Sequence, residues 1–198
     1  MSALPGSALF ASAGGERVGI VLGLEPAFPE AHALGPAYTV RGASGDNLAL
    51  HHALGAAPPG AVIVLAVGGE RETAYCGEIV AIAALERQIA GIVLDGPIRD
   101  RVQIAALGLP VFHLGTSPRG PRKNGPGALG VEVELGGVRI APGDLVCADA
   151  DGIAIVPQAA GAELEAAVAA LVLREQQIVA ALRRGRTTVD VFGLEALE

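Results

Sequence analysis

Apolar positions along this chain fall into two patterns, short unbroken runs and helical spacings, and the two alternate through the middle of the sequence. Ala61-Val62-Ile63-Val64-Leu65 and Ile92-Val93-Leu94 have no polar residue to mark a wet face, as in strands buried on both sides. Before the first run, residues 47–54 carry Leu48, Leu50 and Leu54 at helical spacing, and Pro58-Pro59-Gly60 ends that helix. Gly68-Gly69 closes the strand. Thr73 stands in the N-cap region of a second helix, which carries Glu78 and runs to about Gln88, with Gly91 as its stop. Residues 100–107 read as a short third helix, and Pro110-Val111-Phe112-His113 as a strand. The first forty residues give a short opening helix or strand, then Ala37-Tyr38-Thr39-Val40 as a strand.

The second half changes rhythm. After a loop rich in Gly, Pro and Arg over residues 116–130, Val131-Glu132-Val133-Glu134-Leu135 alternates as a half-exposed strand. Gly136-Gly137 turns it into Val138-Arg139-Ile140. Pro142-Gly143-Asp144 and Asp149-Ala150-Asp151-Gly152 read as turns into two further strands. A long amphipathic helix follows over residues 160–185, with Gly185 as its stop. Neither a repeat nor a linker divides the chain, so the pattern predicts one α/β domain over residues 1–198, layered β/β/α.

Composition narrows the picture. Half of the 198 residues are apolar but only 3% are aromatic, so Ala, Val, Leu, Ile and Gly must build the core. The formal net charge of −7 argues against a nucleic-acid partner, which needs clustered Lys and Arg. Cys76 and Cys147 lie outside any CxxC spacing and read as buried free thiols. No apolar run reaches membrane-spanning length, and the start lacks a basic region followed by an apolar block. The expectation is a cytoplasmic protein with no membrane partner. Lys123 is the only lysine and sits in a Gly/Pro-rich loop, which argues against Schiff-base chemistry.

The candidate chemistry lies at Glu78 and at Arg99-Asp100, inside Asp95-Gly96-Pro97-Ile98-Arg99-Asp100. A guanidinium grips a carboxylate bidentately, and the neighbouring carboxylate offers a hard oxygen to a divalent cation. The bland alternatives are a helix-start ion pair for Arg99-Asp100 and a solvated helix face for Glu78. Adjacent His51-His52 cannot share a helical face, so zinc is not expected there. His113 reads as packed at a strand end. The Asp149-Ala150-Asp151-Gly152 segment lacks the further acids of a calcium loop and reads as a tight turn. The Arg119-Arg122-Lys123 loop reads as solvated surface, or as a lid for a second substrate carboxylate.

From about Gly35 to Gly193 the chain resembles the RraA-like family of class II pyruvate aldolases. That family's signature is Asp, twenty residues, then Arg-Asp. Here it stands as Glu78, twenty residues, Arg99-Asp100, supported by Pro110-Val111-Phe112, Gly136-Gly137-Val138, Pro142-Gly143-Asp144 and Ala148-Asp149-Ala150-Asp151-Gly152. The resemblance implies a swivelling β/β/α fold like a phosphohistidine domain, assembled as a trimer or dimer of trimers. It implies cleavage of 4-hydroxy-4-methyl-2-oxoglutarate-type oxo acids to pyruvate, and decarboxylation of oxaloacetate. Arg99 would bind the substrate carboxylate, Asp100 would ligate Mg²⁺ or Mn²⁺, and Glu78 would hold the ion's waters. The backbone amides of Ile79 and Val80 would bind the pyruvyl group, and Glu175 of a neighbouring subunit would complete the water shell. Glu replaces the commoner Asp at 78, and Gln103 stands where the aldolases usually carry an acid. The alternative within the resemblance is a non-enzymatic protein that regulates a ribonuclease by binding it. A methyltransferase finds no support, because no glycine-rich cofactor loop with a following ribose-binding acid is present.

Overall fold

The computed structural model describes residues 5–195; residues 1–4 and 196–198, the ends of the expected 1–198 domain, lie outside them. The strands are β1 (Gly19–Val21), β2 (Glu25–Pro26), β3 (Ala33–Arg41), β4 (Val62–Ala66), β5 (Gly91–Leu94), β6 (Val111–His113), β7 (Ala128–Leu129), β8 (Val133–Leu135), β9 (Val138–Ile140), β10 (Leu145–Asp149) and β11 (Gly152–Val156). The α-helices are α1 (Ser7–Gly14), α2 (Leu48–Ala56), α3 (Glu78–Glu86), α4 (Arg101–Leu107), α5 (Gly161–Arg183) and α6 (Thr188–Phe192).

One mixed sheet runs β1-β11-β10-β3-β4-β5-β6-β2, with β7 also on β3 and a separate β8-β9 hairpin. β3 joins its two halves. Residues 33–36 pair antiparallel with β10, while residues 37–41 pair parallel with β4. One strand thus serves two ladders in succession, and the sheet curls into a half-barrel.

The unbroken apolar runs follow from burial on both faces. Ile63, Leu65, Ile92 and Leu94 face a core shared with Leu50, Leu54 and Ile104 of the crossover helices. Their neighbours Val62, Val64 and Val93 face a second core with Phe112, Ile153 and Ile155, which Leu135 and Ile140 of the hairpin cover. A third cluster seats Phe10 of α1 and Leu164 and Val168 of α5 against β10 and β11. These layers are the expected mixed α/β arrangement.

Several boundaries depart from the sequence reading: β3 begins at Ala33 and not Ala37, β8 at Val133 and not Val131, and both ends of α3 shift. Thr73 caps nothing: the segment before α3 is extended, with Tyr75 N–H donating to Pro97 O at 2.9 Å and Cys76 bridging Ile98. The helix starts at Glu78 and ends at Glu86, because Gln88 turns left-handed at φ 56. Gly91 therefore opens β5 and does not stop the helix.

Candidate active site

In parallel α/β sheets, loops at the carboxyl ends of the strands collect ligands. Here the segments following β3, β4, β5 and β6 converge at one edge. Asp95, just after β5, ties two of them together by accepting the N–H groups of Val67 at 2.5 Å, Gly68 at 3.1 Å and Gly69 at 3.0 Å. Burial pushes its carboxyl above the ordinary value, and those three donors oppose the push. Further along, Arg99 N–H donates to Cys76 O at 2.9 Å, and Ser117 N–H to Ile98 O at 2.9 Å. This short ladder sets the Arg99-Asp100 pair between the start of α3 and the loop after β6.

Asp100 occupies the N-cap position of α4 in the left-handed region (φ 54, ψ 37) and makes no side-chain cap bond. Its Oδ2 reaches across and accepts the Glu78 N–H at 3.2 Å. Arg99 Nε lies 3.6 Å from the same oxygen, with both side chains close to 40% exposed. The bland reading of the pair is met in its ion pair and in the N-cap position of Asp100, but not in a cap bond, since the carboxylate turns to Glu78 N–H of another helix. A non-glycine residue held left-handed costs about 1–3 kcal/mol and persists where its surroundings fix it. Gly77 makes the approach possible: a Cβ there would stand 2.6 Å from Asp100 Oδ2 and 3.0 Å from Arg99 Cγ.

Arg99 separates two cavities. One, the smaller, is lined by Asn47, His51, Ile79, Val80, Arg99 and Lys123, among others. Ile79 and Val80 follow Glu78 in the first turn of α3, where backbone N–H groups have no carbonyl within the helix. The other is an open cleft lined by Arg99, Asp100, Gln103, Thr116 and Ser117 among others. Glu78, Ile79, Val80, Arg99 and Asp100 are thus brought together. Glu175 is exposed on α5 and lines neither cavity.

The donor set around Asp100 suits a hard divalent cation. The contacts to Glu78 and Arg99 use Oδ2, and Asp100 lines the open cleft, with the exposed Glu78 on the adjoining turn. Mg²⁺ is commonly bound by one or two carboxylates while keeping several waters. A different cluster, His32, Cys147 and Asp149, lies within ligating distance of itself, but all of its ligating atoms save the buried His32 Nδ1 are engaged within the fold. His32 Nε2 and Cys147 Sγ donate to Pro5 O at 3.0 and 3.3 Å, and Asp149 accepts from Ser7 N–H and Oγ, both at 2.7 Å. These contacts pin the segment leading into α1.

The basic loop is tied down, unlike a free lid. Arg119 O accepts Ala74 N–H, Arg122 exchanges backbone bonds with Gly45 and Asn47, and Arg119 Nη1 meets Glu72 Oε2 at 2.8 Å. Asp46 completes the clasp by accepting Asn124 and Gly125 N–H, each at 2.8 Å. Burial pushes Asp46 up, but its backbone donors and Arg122 outweigh that and hold it below the ordinary value. Tyr75 accepts Gly45 N–H at 2.7 Å and donates to Glu70 at 3.0 Å; burial, with Glu70 beside it, pushes its phenol up to about 12. Cys76 and Cys147 are free and buried, and burial pushes both thiols up to about 12. His113 is packed, with Nδ1 accepting Gly115 N–H at 2.9 Å, and Asp149 accepts Asp151 N–H in the tight turn. The sequence reading missed Gly77, Asp46, Asn47 and the cavity role of His51. Asp46-Asn47 just before a helix is a turn signal, but nothing local pointed to the loop 78 residues away.

Residues 10–155 match the family model described as RraA-like, Aldolase/RraA. A curated relative from Halalkalibacterium halodurans, named "Putative 4-hydroxy-4-methyl-2-oxoglutarate aldolase", is 45% identical over 125 residues. That alignment covers 63% of this chain and 60% of that protein, so the chain spans about 60% of its curated relative's length. A solved structure from Geobacillus kaustophilus HTA426, described as an S-adenosylmethionine:2-dimethylmenaquinone methyltransferase, superimposes with a TM-score of 0.72 at 35% identity. It covers 76% of this chain and 94% of its own. The RNA-processing inhibitor RraA from Thermus thermophilis gives a TM-score of 0.72 at 26% identity, over 80% of this chain and 94% of that one.

Proposed function

We propose that this chain, which belongs to the RraA-like family, is a divalent-metal-dependent lyase of 4-hydroxy-2-oxo acids. Its substrates are of the 4-hydroxy-4-methyl-2-oxoglutarate type, which it cleaves to pyruvate, and it also decarboxylates oxaloacetate. The observation that carries this reading is the position of Arg99, with the N-terminal turn of α3 on one side and Asp100 on the other. Asp100 would hold Mg²⁺ or Mn²⁺, with Glu78 on its waters, and the cation would supply Lewis acidity for the charge that builds on the 2-oxo oxygen.

The chain's own groups do the rest. The Arg99 guanidinium neutralises and orients the substrate carboxylate, which lowers the entropy cost of the reactive pose. The Ile79 and Val80 N–H groups donate to the pyruvyl oxygens at a helix start that favours negative charge. In aldol cleavage the 4-hydroxyl loses its proton, the C3–C4 bond breaks into a carbonyl, and the bonding pair forms the pyruvate enolate. Glu78, exposed beside the cleft, accepts that proton through a water. Decarboxylation forms the same enolate without a base. In this reading the protein is cytoplasmic and assembles as a trimer or dimer of trimers, which offers the exposed Glu175 to a neighbouring site.

The test is pyruvate release from 4-hydroxy-4-methyl-2-oxoglutarate and oxaloacetate, in EDTA and after Mg²⁺ or Mn²⁺ add-back, for wild type and Arg99→Ala. Turnover that needs both the cation and Arg99 supports the lyase. A rate no greater than that of free metal refutes it and favours a ribonuclease-binding role, which the likeness to an RNA-processing inhibitor keeps as the second reading.

A further inference from the structure

The smaller cavity is lined by two cations, Arg99 and Lys123, and by no carboxylate, in a chain whose formal net charge is −7. Ile79 and Val80 bring the first turn of α3 to the same wall, where a helix start adds partial positive charge. A cleft lined by one sign of charge, set against the charge of the whole molecule, draws in the opposite sign. The lyase reading uses only one of the two cations, Arg99, for the carboxylate beside the 2-oxo group.

Lys123 stands apart from the other cations of its loop. Arg119 meets Glu72 Oε2 at 2.8 Å, and Arg122 Nη2 donates to Ser44 O at 3.2 Å, with its charge felt at Asp46. Neither lines the cavity. Lys123 does, is exposed, and makes no ion pair among the described residues. Burial first, and then the Lys123 charge, lower the His51 imidazole from its ordinary value, and His51 lines the same cavity. The backbone is tied on both sides of Lys123: Arg122 N–H donates to Gly45 O at 2.9 Å, and Asn124 and Gly125 N–H donate to Asp46 Oδ2. The ammonium is thus carried on a fixed wall.

We infer that Lys123 sets the charge specificity of this site by pairing with a second carboxylate, at the end of the substrate away from the one Arg99 holds. The inference rests on the lyase reading and deepens it: the chain's only lysine tells dianionic oxo acids from monoanionic ones. In 4-hydroxy-4-methyl-2-oxoglutarate the distal carboxylate stays on the departing fragment and keeps its charge through C3–C4 cleavage. Ground state and transition state therefore gain equally, and the effect falls on KM. An exposed pair of this kind is also weakened by salt.

The experiment measures kcat and KM, with Mg²⁺ present, for that acid and for 4-hydroxy-4-methyl-2-oxopentanoate, which has a methyl group in place of the distal carboxylate. Wild type, Lys123→Met and Lys123→Arg are compared, and the readout is the ratio of the two kcat/KM values. Lys123→Met should lower that ratio about 10-fold, through a higher KM for the dianion, and Lys123→Arg should keep most of it. Added salt should lower the wild-type ratio more than that of Lys123→Met. An unchanged ratio in Lys123→Met overturns the inference, whether both rates persist or fall together; a joint fall would mark a residue that only holds the loop. If wild type cleaves neither acid above the free-metal rate, the lyase reading itself falls and this inference falls with it.

Discussion

Gly77→Ala places one methyl group where the site has no room for it. Gly77 has φ −148 and ψ −170, extended backbone open to any residue, so the penalty is steric and not conformational. The new Cβ would stand 2.6 Å from Asp100 Oδ2, 3.0 Å from Arg99 Cγ and 3.2 Å from Arg99 Nε. To restore an ordinary contact of 3.4 Å, Asp100 Oδ2 must retreat by about 0.8 Å. It cannot do so alone, since it accepts the Glu78 N–H from a backbone already held left-handed. Either that bond opens or the Arg99 side chain moves. The stability cost is that of one partly exposed hydrogen bond, about 1 kcal/mol. The catalytic cost is larger, since a misplacement near 1 Å lowers rates by roughly 10²-fold. The assay is kcat/KM for pyruvate release beside a thermal melt of the same sample. A Gly77→Ala protein with a wild-type rate would refute the claim that Gly77 exists to let Asp100 and Arg99 close on α3.

Gly55→Ala is the matched control: it sits inside α2 and an added Cβ meets nothing within 4 Å. It should stabilise by about 0.5–1 kcal/mol, read as a higher denaturant midpoint with unchanged turnover. For Glu78→Gln, decarboxylation of oxaloacetate should survive better than aldol cleavage, because only cleavage needs a base; equal losses of both would refute that division. His113 gives a pH dependence. Burial, then the Arg101 charge, lowers it from 6.5 to about 4, so between those values the unfolded chain binds the proton and the fold does not. Its contribution is complete above pH 6.5 and is lost as pH falls toward 4, on the order of 3 kcal/mol at most. Denaturant midpoints at pH 7 and 5 should show the loss, and His113→Asn, which keeps an acceptor for Gly115 N–H, should flatten it. An equally steep profile in that variant would move the effect to another group.

Much of the scaffold was legible because its signals are local. The β4 and β5 runs carry no polar face, and the core they enter on each side explains why. The β8-β9 hairpin shows its alternation and its Gly136-Gly137 turn, and α5 shows its length and its stop. The misreadings fall where tertiary pairing overrides local preference. Thr73 looks like a helix cap, yet the residues after it are drawn into an extended ladder with Pro97 and Ile98. β3 begins at Ala33, earlier than its apolar run suggests. Its first residues pair with β10 in spite of Pro36, and Gly35 leaves no space for a side chain beside Gly60 O, 2.2 Å from where a Cβ would lie.

The site divides along the same line, and the division shows what kind of information each part needs. Glu78, Arg99 and Asp100 could be named because their chemistry lies in their own side chains and their spacing is an ordered pattern. Gly77 could not, since its value is an absence, measurable only once Asp100 lies opposite it. Asn47 stands at the N-cap position of α2, yet its side chain makes no cap bond. It turns instead to Tyr75 O, 28 residues away, a contact that no local pattern announces. The Asp46 clasp belongs with these: a carboxylate beside a helix start could have closed a local turn, and it does hold Leu48 N–H at 2.9 Å. Its other oxygen holds the basic loop against the cavity mouth, so the wall that carries Lys123 depends on a residue just before α2. In the proposed reaction Arg99 reads the carboxylate end of the substrate from the β5 side, and Asn47 and His51 at the start of α2 line the same cavity. Substrate choice in this chain is therefore expected to vary with residues 46–51 more than with the Arg-Asp pair.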